Sequence, residues 1–214
     1  MASTPRGRLI TLEGGEGAGK STQARRLAEW LRQRGVAVEL TREPGGSPGA
    51  EEIRALLVTG EPGRWDPLSE LMLHYAARRD HMVRTIVPTL DAGRWVVCDR
   101  FIDSTLAYQG YGLGIPIDTI TGVRRAVMGD FEPDLTLILD VDLETGRERT
   151  ASRAGGEDRY ERMGAAFHAR IREGFRKIAA DEPNRCVIVP TGGPVDEVAA
   201  TIAAAVDKRF GLVS

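Results

Sequence analysis

Eight consecutive residues, Gly14-Gly15-Glu16-Gly17-Ala18-Gly19-Lys20-Ser21, fit the spacing G-x-x-x-x-G-K-[ST], and Thr22 follows them. Four glycines let successive backbone N–H groups turn inward around phosphate oxygens. A helix starting just after the lysine adds the positive end of its dipole. Lys20 is placed to reach β- and γ-phosphates, and the Ser21 hydroxyl is a hard oxygen ligand suited to Mg²⁺. Lysine is scarce here: of 29 basic residues only Lys20, Lys177 and Lys208 are lysine, and the rest are arginine. A lone lysine in an arginine-using chain points to a need for a compact ammonium on a flexible stem. The run therefore reads as a nucleoside triphosphate site.

Such a loop needs a strand before it and a helix after it. Arg8 to Glu13 (RLITLE) reads as a buried strand, and Ser21 to Arg34 repeats apolar residues at Ala24, Leu27, Ala28 and Leu31, the helix period. Val36 to Thr41, Trp95 to Cys98, Leu135 to Val141 and Val187 to Val189 read as further strands. Between them, helices are expected over Glu51 to Leu57, Asp66 toward Leu90 with a kink at Pro88, Ile117 to Met128, Leu143 to Arg153, Arg159 to Ala180 and Val195 to Phe210. Apolar strands alternating with helices predict an α/β fold of the P-loop NTPase kind. It has a parallel sheet of about five strands, helices on both faces and a small Arg-rich lid over about 147–162. One domain is expected over 1–214. In such folds ligands sit beyond the carboxyl ends of the strands. Asp99 falls there, where a Walker-B carboxylate would assist Ser21 with Mg²⁺, and Arg100 follows it.

Acids number 31 and bases 29, a net charge of −2, so a broad basic face for nucleic acid is excluded. No apolar run reaches membrane-spanning length, and Met1 to Arg8 is polar without a leader-like apolar stretch. Cys98 and Cys186 lie far apart, as buried thiols in a reducing compartment would. A cytoplasmic protein is the expectation.

A P-loop alone does not define a reaction. A guanine-reading switch needs an Asn-Lys-x-Asp loop, and the single asparagine, Asn184, precedes an arginine. A small-molecule kinase needs arginines to neutralise two facing anions. Arg54, Arg78, Arg100 and the run Arg147, Arg149, Arg153, Arg159 and Arg162 are available for that. The last group equally fits a solvated helix face, and Gly155-Gly156 tilts it toward a hinged lid. Another nucleoside monophosphate kinase, or a P-loop protein that binds without transfer, remains an alternative on these residues alone.

Several segments together resemble the bacterial thymidylate kinase (dTMP kinase) family of P-loop nucleoside monophosphate kinases. They are EGGEGAGKST (13–22), TREPGG (41–46), YAAR (75–78), DRFIDSTLAYQGY (99–111), LILDV (137–141) and DRYE (158–161). The resemblance spans nearly the whole chain. It implies ATP + dTMP → ADP + dTDP with Mg²⁺, no nucleic-acid or membrane partner, and a homodimer. It implies that Lys20, Arg100 and a lid arginine serve catalysis, with Glu16 near the dTMP sugar. The P-loop has no arginine of its own, so Arg153, then Arg159, is the implied lid arginine, and Arg149 joins the ATP side. Glu43 and Arg54 are implied at the acceptor end, Arg78 at thymine O4, and Ser104, Thr105 and Gln109 along the base edge. Tyr108 is implied beneath the sugar. The family usually has Phe four residues before the Arg of the YAAR segment, stacked on thymine. This chain has His74. Either His74 stacks or Leu73 or Tyr75 moves in, and a stacked imidazole implies a dTMP affinity that titrates near the ordinary histidine value, about 6.5. His81 and His168 read as hydrogen-bonded structural residues.

Overall fold

In a computed structural model of the chain, which describes residues 5–151 and 159–212, five strands pair in parallel. They are β1 (Leu9–Gly14), β2 (Val38–Arg42), β3 (Trp95–Asp99), β4 (Leu135–Asp140) and β5 (Cys186–Pro190), in the order β2-β3-β1-β4-β5. β1 is central, with Leu9 opposite Val96 on one side and Ile10 opposite Leu135 on the other. Period-2 alternation sends its side chains to both faces. Ile10 and Leu12 join the core under α1 (Lys20–Gln33) and α9 (Val195–Phe210), which supply Leu27, Leu31, Ile202 and Val206. Leu9 joins the opposite core with Val96, Cys98, Leu71, Ile86 and Ile120. That face is covered by α3 (Pro67–His81), α4 (Val87–Asp91) and α6 (Ile117–Met128). Residue types explain the layering: strands buried on both faces carry few polar side chains, as parallel sheets require.

α2 (Pro48–Val58) begins three residues earlier than its apolar pattern suggests, because Pro48 is pre-set for a first helical turn. Asp66 caps α3, accepting from the N–H groups of Leu68 and Ser69 at 3.0 and 3.3 Å. The kink expected at Pro88 is absorbed upstream: Met82–Ile86 forms π-helical turns between α3 and α4. A wide turn accommodates a proline that lacks its N–H and crowds the carbonyl four residues back. A short α5 (Ile102–Thr105) runs into a second π stretch, Leu106–Gly112, which periodicity did not reveal. α7 (Leu143–Ala151) is followed by α8 (Ala165–Asp181), not by a helix from Arg159, since 159–163 are turns and Gly164 is the N-cap residue. α8 closes a third core, packing Phe167, Ile171 and Phe175 against Ala107, Tyr108 and Ile138. Cys98 and Cys186 are buried free thiols. Among the described residues no helix is long and apolar enough to cross a membrane.

Candidate active site

A cavity of about 330 Å³ opens at the carboxyl ends of β1, β2 and β3. Its phosphate end is built by the loop after β1. Gly17 has φ of 73°, and a Cβ there would lie 2.1 Å from the carbonyl oxygen of Gly146, so only glycine fits so close to α7. Lys20 is buried and donates to the carbonyls of Gly14 and Gly15 at 3.1 and 2.7 Å. Burial and the nearby Arg100 charge push its ammonium down to about 8, against the pull of Glu16. Ser21 donates to Asp99 Oδ2 at 2.5 Å, which brings a hydroxyl and a carboxylate from α1 and β3 together at the cavity mouth.

Arg100 adopts φ of 71°, a left-handed conformation that a non-glycine residue holds only when its surroundings over-determine it. Glu13 supplies much of that determination. Its Oε1 accepts from the N–H of Phe101 at 2.7 Å and its Oε2 from the hydroxyl of Ser104 at 2.5 Å, while Arg100 donates its own N–H to the Leu12 carbonyl. The guanidinium then reaches Glu16 at 2.7 Å, the Gly14 carbonyl at 3.2 Å and Ser104 Oγ at 3.3 Å. Tyr108 donates to Glu16 at 2.8 Å. The two acids of this loop titrate in opposite directions. Burial and Asp103 lift the Glu13 carboxyl to about 7. Burial also presses Glu16 upward, but Arg100, Lys20 and the Tyr108 hydroxyl outweigh it and hold Glu16 at about 2.

The other end of the cavity is walled by α3, the π stretch and the turn at 159–160. Arg78 is buried and gives Nε to Glu43 at 2.7 Å, one terminal nitrogen to Thr105 at 3.0 Å and the other to the Phe101 carbonyl at 3.0 Å. His81 lies 3.0 Å from Glu43 and 2.8 Å from Thr41, hydrogen-bonded as its sequence context suggests. His74 Nε2 lies 2.9 Å from the Tyr160 hydroxyl. Burial, then Arg78, Arg159 and Arg100, push its imidazole down to about 3. Gln109 and Tyr160 both donate to Glu70, each at 2.9 Å, and Glu70 is ion-paired to Arg159.

The sequence model of the thymidylate kinase family matches residues 12–202. The chain belongs to the thymidylate kinase family. A thymidylate kinase of Caulobacter vibrioides is 52% identical over 206 residues, covering 96% of this chain and 99% of that protein. One from Dinoroseobacter shibae is 51% identical, covering 94% and 97%. The crystal structure of a thymidylate kinase from Ehrlichia chaffeensis superimposes with a TM-score of 0.75 at 39% identity, covering 94% of this chain and 99% of that one. The α/β P-loop fold read from the sequence is therefore the fold of this family, and the chain is a phosphotransferase.

Glu16, Gly17, Gly19, Lys20, Ser21, Glu43, Arg54, His74, Arg78, Asp99, Arg100, Ser104, Thr105, Tyr108 and Gln109 all line the one cavity. Gly14, Gly15 and Ala18 form the loop behind it, and Thr22 is exposed on α1. Arg149 stands near the loop from α7, donating to the Thr191 carbonyl at 3.1 Å and lying 3.5 Å from that of Gly17. Arg153, with Gly155 and Gly156, lies outside the described residues. The arginine run does not stay together. Arg159 is buried against Glu70 and donates to the Leu57 carbonyl at 2.9 Å, so it is an anchor and not a second lid arginine aimed at phosphate. Arg162 pairs with Glu61. Arg147 and His168 line a second cavity of about 280 Å³ behind the loop, where His168 meets the Phe167 ring edge-on. Tyr75 is core and Leu73 does not line the main cavity, which leaves His74 as the residue of that trio in it.

Glu13, Glu70 and Tyr160 escaped the sequence reading. A signal existed for Glu70: Glu70, His74, Arg78 and His81 follow one another at intervals of four, four and three, a polar stripe on one helix face. Three of the four are buried. Glu13 announces itself only as an acid near the end of a largely apolar strand.

Proposed function

We propose that this cavity carries the family's reaction, transfer of the γ-phosphoryl group of ATP to dTMP, giving dTDP and ADP. One observation supports this above the others: Lys20, Arg100, Ser21 and Asp99 converge on one cavity whose far wall is Arg78, His74 and Gln109. A phosphate-binding loop and an acceptor pocket thus share one space.

The nucleophile is a phosphate oxygen of dTMP, already anionic, so no general base is needed. It bonds to the γ-phosphorus as the bond to the β,γ-bridging oxygen breaks. What the protein supplies is positioning and charge. Lys20 and the loop N–H groups hold the donor phosphates, and Arg100 forks toward the acceptor phosphate. Glu16, kept anionic by Arg100, orients that guanidinium near the sugar. Tyr108 packs beneath the sugar, with Glu43, Arg54, Ser104 and Thr105 around the nucleotide. Arg149 lies on the ATP side, and Arg153 is the lid arginine. Mg²⁺ fits the Ser21 and Asp99 oxygens, a hard-donor pair that leaves room for phosphate and water, and when bound it would neutralise phosphate charge.

We read residues 1–214 as one kinase unit with a lid over about 147–162, working in the cytoplasm. A homodimer is the proposed assembly. Leu68, Met72 and Val83 are 47–49% exposed along one side of α3 and the turns after it, an apolar stripe suited to a second copy of the chain. Light scattering on a sizing column reads a mass near twice 23.3 kDa if so. The reaction is tested by ADP release with dTMP, dUMP, dCMP, dGMP and AMP. dTMP is expected to lead, preference for another monophosphate would reassign the substrate, and no turnover with any would leave a binding protein.

A further inference from the structure

The base end of the cavity is organised by a carboxylate that does not line it. Glu70 is fully buried on the inward face of α3. Its Oε1 accepts from Gln109 Nε2 and from the Tyr160 hydroxyl, both at 2.9 Å, and its Oε2 pairs with the Arg159 guanidinium. A carboxylate held by a guanidinium has no proton to give, so each of these neighbours must donate to it. The count of protons then propagates outward. Tyr160 spends its one hydroxyl proton on Glu70. His74 Nε2, 2.9 Å from the same oxygen, must therefore be the donor of that contact. This leaves His74 Nδ1 as a lone-pair acceptor. Gln109 must turn its nitrogen toward Glu70, which leaves its Oε1 as an acceptor. Neither atom has a partner among the described residues, and both side chains line the main cavity. The depressed imidazole, at about 3, keeps His74 neutral near neutral pH and so keeps Nδ1 an acceptor. Arg78 in the same cavity has the opposite character. Three of its five N–H groups are taken by Glu43, Thr105 and Phe101, and the others remain donors.

We propose that Glu70 sets the nucleobase preference of the site, by forcing Gln109 and His74 to present acceptors beside the donor Arg78. This rests on reading the cavity as a nucleoside monophosphate site. A pyrimidine with a ring N–H next to a carbonyl, as in thymine or uracil, matches that wall. Cytosine carries the reverse pattern, a bare ring nitrogen next to an amino group. Its edge would set acceptor against acceptor and donor against donor, leaving desolvated groups unpaired. Glu70 touches no substrate and acts as a positioning residue, through Gln109 and through Tyr160 to His74.

The test is Glu70→Gln. The new amide keeps its oxygen on Arg159 and offers its nitrogen to Gln109 and Tyr160. Gln109 must then turn its carbonyl inward and its amino group toward the cavity, inverting the wall. The kcat/KM ratio of dTMP to dCMP should fall on the order of tenfold or more, while the ratio of dTMP to dUMP stays unchanged because those bases share one edge. A purely structural defect would lower all three together and leave both ratios intact. Gln109→Met removes the acceptor while keeping the Glu70–Arg159 pair, and should move the dTMP to dCMP ratio the same way. An unchanged ratio there would overturn the proposal even where Glu70→Gln does not fold. Unchanged ratios in folded variants would overturn the proposal. A wild type that does not phosphorylate dTMP would overturn the underlying reading instead.

Discussion

The phosphate end of the cavity is assembled mostly from eight consecutive residues, Gly14 to Ser21, completed by Asp99 and Arg100 at the carboxyl end of a single strand. The base end draws on α3, the π stretch and the turn at 159–160, and its key contact, Tyr160 to Glu70, joins residues 90 apart. Charge is handled differently at the two ends. Lys20, Glu16 and Arg100 are held at the surface of the cavity, where a ligand's phosphates can add to the balance. Glu70 and Arg159, neither of which lines the cavity, neutralise one another inside the protein. The first arrangement keeps charge available for chemistry. The second gives it up to fix geometry, since a buried pair is costly to break and directional once formed.

Substitutions that remove one charge from each end put this contrast to the test. Lys20→Ala should lower kcat on the order of 10³-fold, because it removes a donor that acts on developing phosphate charge. Its melting temperature should change little, since Lys20 is itself held against a burial penalty. Steady-state kinetics beside a thermal melt reads both, and near-normal turnover by a folded variant would end the kinase reading. Arg159→Met should do the reverse. It leaves Glu70 buried without its cation and should cost about 3–5 kcal/mol of stability, read by denaturant unfolding. At a temperature where the variant is folded, kcat should fall far less than in Lys20→Ala. An equal fall would mean that Arg159 reaches the phosphates after all.

The paired loop acids sharpen the same comparison through pH. Glu16 is held at about 2, below its ordinary 4.5, so the stability it contributes is present above that value and lost as pH falls toward 2. Glu13 is lifted to about 7, so its contribution is present below 4.5 and lost as pH rises through 7. Denaturant melts across this range should show Glu16→Gln flattening the acid limb and Glu13→Gln flattening the neutral one. A shared direction of change would contradict the opposite shifts. The smallest effect is expected at His74. Its imidazole, pressed to about 3, should not titrate where a free histidine would. The profiles of KM for dTMP should therefore run parallel for wild type and His74→Phe between about pH 6 and 8. A step near the ordinary 6.5 in wild type alone would restore the stacked, titrating imidazole that the family resemblance implies.

The two ends also differ in how far the chain could be read without its fold. The loop was legible because its chemistry is local: consecutive N–H groups, one lysine and one hydroxyl must be near each other in any structure. The strands around it were legible because a sheet buried on both faces leaves apolar runs that no other element needs. Asp66 and Pro67 announced the start of α3 for the same local reason. The π stretch over 106–112 was not legible, since its wide turns satisfy no simple period. The run from Arg147 to Arg162 reads as one cluster along the chain. Only the fold divides it, burying Arg159 at Glu70 and leaving Arg149 beside Gly17.

The sequence by itself determined the layered parallel sheet and the phosphate loop, because periodicity and short-range spacing encode them directly, and the acceptor-side residues were legible only through the family resemblance. The tertiary structure alone decided which of those side chains stay free to meet a ligand and which are spent on one another. That choice depends on partners brought together from distant segments, on the burial that makes an unpaired charge expensive, and on a count of protons that no stretch of sequence contains.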